Sequence, residues 1–133
     1  MAIGTIGWRR ATIANGAALS SAIDMAGKRL VAIRQPASVE GTAFGMTASY
    51  DGGTTYEAVY NSIPEATGAA PVTALWEVTK SATVAQVIFL AESQRVYGPT
   101  HIKLQTEDGL NAASNQTGAN EVWVALEDLP APV

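Results

Sequence analysis

Phe44-Gly-Met46-Thr-Ala48-Ser49-Tyr50-Asp51-Gly52-Gly53-Thr54-Thr55-Tyr56-Glu-Ala58-Val-Tyr60 is the stretch that decides the fold. Phe44, Met46, Ala48 and Tyr50 recur at every second position, with smaller or more polar residues between them. That period sets one series of side chains on one face of a strand. Asp51-Gly52-Gly53 then marks a turn, because Asp tolerates the left-handed region and Gly enters it without steric cost. Tyr56, Ala58 and Tyr60 alternate back along a return strand. The stretch reads as a β-hairpin with its tip at Asp51-Gly52-Gly53.

The flanking sequence continues in the same style. Trp8 to Ala14 reads as a first strand, ended by Asn15-Gly16, and Leu19 to Met25 as a short second one, closed by Ala26-Gly27. In Lys28 to Gln35, Leu30, Ala32 and Arg34 alternate with Arg29, Val31, Ile33 and Gln35. Pro36, lacking a ladder donor, stops that strand. Beyond the hairpin, Asn61 to Pro71 reads as loop. Val72 to Thr79 reads as one strand with Val72, Ala74, Trp76 and Val78 together. Val84 to Leu90, nearly continuous in apolar residues, reads as a strand buried on both sides or crossing the core. Ala91 to Gln94 suits a helical turn, His101 to Thr106 a strand, Glu107 to Gly118 a polar surface loop, and Glu121 to Leu126 the last strand. Pro130-Ala-Pro132 makes a stiff, extended tail. Eight or nine short strands with polar turns predict an all-β chain, an antiparallel β-sandwich or jelly roll in a single domain.

Composition agrees. The chain has 133 residues, 47% hydrophobic, with Thr, Val and Gly plentiful and Lys, Glu and Gln sparse, a balance that favours sheet over helix. The net charge of −4 argues against general affinity for nucleic acid. Residues 1–34 carry five bases against Asp24 alone, and the remainder three bases against eleven acids. A basic end on an acidic body suits docking on an acidic partner or on a neighbouring copy; the alternative is bases scattered at strand ends. With no cysteine, disulfides, thiolate zinc sites and thiol nucleophiles are excluded, and a reducing cytoplasm is the expected site of synthesis. Met1 to Arg10 does not read as a signal peptide, since its charges follow a short apolar run. No stretch approaches the roughly 20 apolar residues of a membrane helix.

Candidate chemistry is sparse. His101 is the sole histidine and lacks the partners of a triad or a metal site. Asp51-Gly52-Gly53 and Glu107-Asp108-Gly109 each offer carboxylate oxygens, without the multi-acid spacing of a calcium loop. Ser49-x-Asp51-Gly-Gly-Thr-Thr-Tyr56 resembles the Asp-box of sialidase-like propellers, where the motif is structural. No catalytic residue, cofactor or metal is expected. Trp8, Trp76, Trp123 and the tyrosines Tyr50, Tyr56, Tyr60 and Tyr97 are the material for a sugar-stacking platform, with core packing the ordinary role of Trp76 and Trp123. Trp8, beside Arg9 and Arg10, is the better candidate for a partner interface. Residues 1–10 are therefore expected to form an N-terminal arm, or else an edge strand, on a sandwich domain of residues 11–133.

The order of features carries a resemblance. Residues Ala11 to Asp24, then Lys28-Arg-Leu-Val-Ala-Ile-Arg34 and Pro36, then Phe44 to Tyr60 with its Ser49-Tyr-Asp-Gly-Gly-Thr-Thr-Tyr56, resemble a family of small tailed-bacteriophage virion proteins; Val96 to Thr106 resembles a later strand of that family, with His101-Ile-Lys-Leu-Gln105 in its place. The resemblance is clear over residues 11–60. It implies a jelly-roll-like sandwich and a non-enzymatic role as a capsid decoration (cement) protein. Such a protein is made in the host bacterial cytoplasm and sits on the virion surface. It binds the major capsid protein, as a homo-oligomer expected to be a trimer, and contacts neither nucleic acid nor membrane. The alternative it leaves open is a carbohydrate-binding or structural module of a tail, fibre or baseplate.

Overall fold

A computed structural model of the chain describes residues 6–63, 72–108 and 112–128. Its longest strand pairing joins β1 (Ile6–Ile13) to β12 (Asn120–Glu127), antiparallel, so that Ile6 faces Glu127 and Ile13 faces Asn120. Strand β12 also pairs with β3 (Arg29–Gln35), and β3 with β9 (Gln86–Phe89), giving sheet A in the order β1-β12-β3-β9. Sheet B is built on β10 (His101–Asp108) and β4 (Ala43–Ser49). Around this pair lie β2 (Ile23–Asp24) and β11 (Ala112–Ala113) on β10, and β5 (Glu57–Ala58) and β8 (Val78–Thr79) on β4. A separate ribbon pairs β6 (Tyr60–Ile63) with β7 (Val72–Leu75), and Glu92–Gln94 form a 3-10 turn.

Apart from the short β5, β8 and β11, which stay in B, and the β6–β7 ribbon, the path alternates between the sheets: β1 in A, β2 in B, β3 in A, β4 in B, β9 in A, β10 in B and β12 in A. Two antiparallel sheets threaded in this way are a jelly roll, in which non-local pairs close the sandwich. Ala11 and Ile13 of β1, Phe44, Met46 and Ala48 of β4, Ile102 and Leu104 of β10, and Val122, Val124 and Leu126 of β12 meet between the sheets. Each keeps period two, so the alternation visible in the sequence is the alternation of the core. Burying one such large aliphatic or aromatic side chain contributes about 1.5–3 kcal/mol.

Period two fails once. Leu30 and Ile33 are both fully buried in the core, although an odd spacing would place them on opposite faces. The β12–β3 register explains it: Ala125 faces Ala32 but Leu126 faces Leu30, which leaves Val31 as an extra residue. This bulge re-aims β3. Gln35 is consequently turned inward, where its Nε2 donates to the carbonyls of Ser81 and Val84.

Several expectations are corrected. The return strand of the hairpin is only β5, Thr47 facing Ala58 and Ala48 facing Glu57, and Tyr60 belongs to the β6–β7 ribbon instead. Asn61 to Ile63 are strand, not loop, while residues 64–71 lie outside the described residues. Val72 to Thr79 is two strands, because Trp76 and Glu77 break the run between the ribbon and sheet B. In place of a polar loop over Glu107 to Gly118, Glu107 and Asp108 extend β10, and Gln116 is 1% exposed. Its Oε1 accepts from the Glu40 N–H and from Asn120 Nδ2, and its Nε2 donates to Thr106 Oγ1. Of the expected arm, residues 1–5 lie outside the described residues, and Ile6 to Arg10 pair along β12 as edge strand.

Candidate interaction face

The outer face of sheet A follows from the register. Trp8 faces Ala125, Ala125 faces Ala32, and Ala32 faces Phe89, so the four form one row across all four strands. Arg10, Trp123, Arg34 and Val87 form the next row. Directly paired side chains on one face stand about 5 Å apart, which makes each row continuous. Ala32 and Ala125 are closed off, together with Val31. The large groups at the two ends are not: Trp8 is 47% exposed and Phe89 77%. The row is thus buried in its middle and ends on both sides in an exposed aromatic residue, with Val87 and Ile6 exposed on the same face.

The second row sets the charge of this face. The Arg34 guanidinium lies over the Trp123 ring, 5.0 Å from its centre, a cation–π contact. Beside it runs an open groove of about 560 Å³ lined by Arg34, Pro36, Gln86, Val87 and Trp123. Arg10 pairs with Glu121 at 3.3 Å, Lys28 with Asp128 at 3.0 Å, and Arg29 with Glu127. The basic excess of residues 1–34 is thus largely matched by acids of β12 and the residue after it. Pairs this exposed contribute little to stability.

Of the three residues singled out from the sequence, Trp8 and Arg10 share this face. Arg9 lies on the other side of β1, in phase with the buried Ala11 and Ile13. Sequence reasoning missed Phe89, Val87 and Trp123. Val84 to Leu90 is not buried on both sides: Val87 and Phe89 face outward, while Ile88 packs against the core and Leu90 is buried. Trp76 is buried, its Nε1 donating to the Gln94 carbonyl, whereas Trp123 is half-buried on the outer surface.

The hairpin tip is a turn held by its own side chains. Asp51 Oδ1 accepts from Ser49 Oγ at 2.7 Å and from the N–H groups of Thr54 and Thr55 at 3.1 and 2.9 Å. Gly52 and Gly53 take positive φ, +79° and +95°, as a turn of this shape requires. The Thr55 N–H, followed by the Ser49 hydroxyl, lowers the Asp51 carboxyl to a pKa of about 2. Tyr50 and Tyr97 are exposed nearby, but Lys103 Nζ caps the Tyr56 ring at 4.4 Å, as Arg34 caps Trp123. His101 is half-buried with Nδ1 3.2 Å from Thr100 Oγ1. Among the described residues, no group of three or more His, Asp or Glu side chains is placed to hold a metal ion, and no helix is long and apolar enough to cross a membrane. The chain matches no protein-family model, no curated protein and no solved structure.

Proposed function

We propose that this chain is a non-enzymatic structural protein of a tailed-bacteriophage virion, a decoration protein that docks on the major capsid protein through the outer face of sheet A. One observation carries the reading. The row Trp8–Ala125–Ala32–Phe89 ends on both sides in a large aromatic side chain left in water, with its middle buried. Exposed aromatic side chains with arginines alongside are the residue types enriched at protein–protein contact surfaces. The jelly-roll threading and the resemblance over residues 11–60 support the same class, in which a rigid body presents a surface and performs no reaction. Self-association as a trimer belongs to the proposal, to be read by analytical ultracentrifugation.

The test is co-sedimentation with undecorated capsids of the wild type and of Trp8→Ser with Phe89→Ser. The double variant is expected to lose binding at least 100-fold, about 3 kcal/mol, while its melting midpoint stays near that of the wild type. Binding at wild-type strength would refute this face as the docking surface. The second reading, a carbohydrate-binding module, rests on the exposed Tyr50 and Tyr97; the Tyr50 ring lies beside Gly98, the residue after Tyr97. A glycan bound by the wild type and released by Tyr50→Ala and Tyr97→Ala would favour it. Against it, the Trp123 and Tyr56 rings already carry cations on their faces.

A further inference from the structure

Sheet A ends in β1 on one side and β9 on the other. Thr12 turns its backbone away from β12, since its carbonyl accepts from the Ser21 N–H and its own N–H donates to Ser21 Oγ. Alternation turns Trp8 and Arg10 the same way, so their N–H and C=O groups point off the free edge of β1. At the other end the Leu90 N–H donates to the Val31 carbonyl, which places Ile88 and Gln86 among the residues bonded to β3. Val87 and Phe89 therefore point their backbone groups off the free edge of β9. Among the described residues, no backbone group meets the outward N–H and C=O of Trp8, Arg10, Val87 or Phe89.

The two edges fit one another. Each strand of the sheet runs antiparallel to the next, so β1 and β9 run in opposite directions. A second copy set beside the first in the same orientation lays its β1 antiparallel against β9. With Trp8 of one copy opposite Phe89 of the other, Arg10 falls opposite Val87, and each pair exchanges both of its N–H···O bonds. The row Trp8–Ala125–Ala32–Phe89 then runs on into the next copy, and its two exposed aromatic ends become one cross-strand pair. Charge selects this pairing. Strand β1 carries Arg9 and Arg10 and β9 carries no charge, so two β1 edges would set arginines against arginines, whereas β1 on β9 does not. Strand β9 also lacks the lysine, proline or bulge that keeps an exposed edge from pairing.

We propose that the chain assembles with copies of itself head to tail, the β1 edge of one copy adding to the β9 edge of the next. Such a joint uses a different surface on each partner, so its repetition closes into a ring or runs on as a filament. The trimer of the preceding section is the closed ring; the copy number rests on that reading and the joint does not. One joint between two short strands covers less than about 1,200 Å², the low end of specific interfaces. A ring offsets this, because a copy leaves only when two joints open together. Every joint also sets Trp8 beside Phe89 on the face that meets the shell in that reading.

The chain has no cysteine, so introduced thiols report the joint. Within one copy, positions 10 and 87 lie three strand spacings apart, about 14 Å, too far for a disulfide. Across the joint their Cα atoms stand about 5.5 Å apart, within its range. An oxidised equimolar mixture of Arg10→Cys and Val87→Cys is expected to give a linked dimer that neither variant gives alone. The chain carrying both substitutions should give a ladder that stops at three copies. A linked dimer from Val87→Cys alone overturns the proposal in favour of twofold pairing of β9. No linked dimer from the mixture overturns it as well; if the wild type still sediments as a trimer, the earlier reading stands and the copies meet elsewhere. A ladder running past three copies upholds the joint and refutes the trimer. Val87→Pro removes an outward N–H and leaves the bonds to β3, so the circular dichroism spectrum should be unchanged while self-association weakens at least tenfold. A folded Val87→Pro that associates like the wild type overturns the joint, and the thiol variants decide alone if it does not fold.

Discussion

On the outer face of sheet A, Phe89 stands 77% exposed; on the outer face of sheet B, Glu107 is 5% exposed. One face leaves an aromatic ring in water and the other takes a carboxylate out of it. Neither choice helps an isolated chain fold, since apolar burial is the main driving force and a buried charge is costly. The two faces depart from that economy in opposite senses, and each departure has its own local support. Sheet A keeps Ala32 and Ala125 buried in the middle of the row, so that only its ends, Trp8 and Phe89, are wet. Sheet B gives up a side chain at Gly45 to seat the carboxylate. The contrast separates an outer face that keeps large apolar groups in water from one that keeps a carboxylate out of it.

The sharpest way to break the comparison is Gly45→Val. Its side chain would occupy the space of the Glu107 carboxylate, and the fold is expected to lose about 3 kcal/mol in chemical denaturation by the usual cost of overpacking. Binding through sheet A should survive in the fraction that remains folded; a joint loss would show that the faces are coupled. Lys80 gives the next largest effect. It is 6% exposed, and burial lowers its pKa to about 8, against the pull of Asp108. The unfolded chain then binds more protons between pH 8 and about 10.5, so stability should rise with pH across that window, by roughly 1–3 kcal/mol. Comparison with Lys80→Met isolates this contribution, and an equal slope in both proteins would refute it.

On sheet A, Arg34→Ala should cost only about 0.5–1 kcal/mol, the worth of an exposed cation–π contact. It should nevertheless change tryptophan emission, as Trp123 loses its cap; unchanged emission would place the guanidinium elsewhere in solution. Asp51 gives the smallest effect. Its lowered pKa means that its contribution is present above about pH 4 and is lost as the pH falls toward 2. Asp51→Asn should flatten that acid limb of the stability curve, as read by circular dichroism, and leave both faces intact.

Much of the fold was legible because the core obeys period two. Phe44, Met46 and Ala48, and Ile102 and Leu104, announce their strands by alternation alone. The β3 bulge was not legible, because it is set by a partner strand almost a hundred residues away, and alternation alone sets Leu30 and Ile33 on opposite faces. The candidate face was half legible. Trp8 and Arg10 stood out beside a turn-rich strand, but Phe89 lay in an apolar run, and such a run looks the same whether its outward residues meet another layer or water. Gln116 was hidden for the converse reason: a polar residue among polar neighbours gives no sign that it bonds Glu40, Thr106 and Asn120 in the interior. The seat of the Glu107 carboxylate depends on Gly45 standing across from Gln105, a pairing no local pattern reveals.

The position of β12 between β1 and β3 also bears on how the molecule is made. The strand that fills the middle of sheet A is the last described strand to leave the ribosome. Until Asn120 to Glu127 emerge, β1 has no neighbour in its sheet and β3 keeps an open edge, so the core between the sheets cannot close. Pairings of such long sequence separation fold slowly, and their open intermediates are prone to associate wrongly. Nascent chains stalled short of Asn120 are therefore expected to remain protease-sensitive, with protection arriving in one step once β12 is free to insert; protection gained well before that point would show that the rest of the sandwich closes without it.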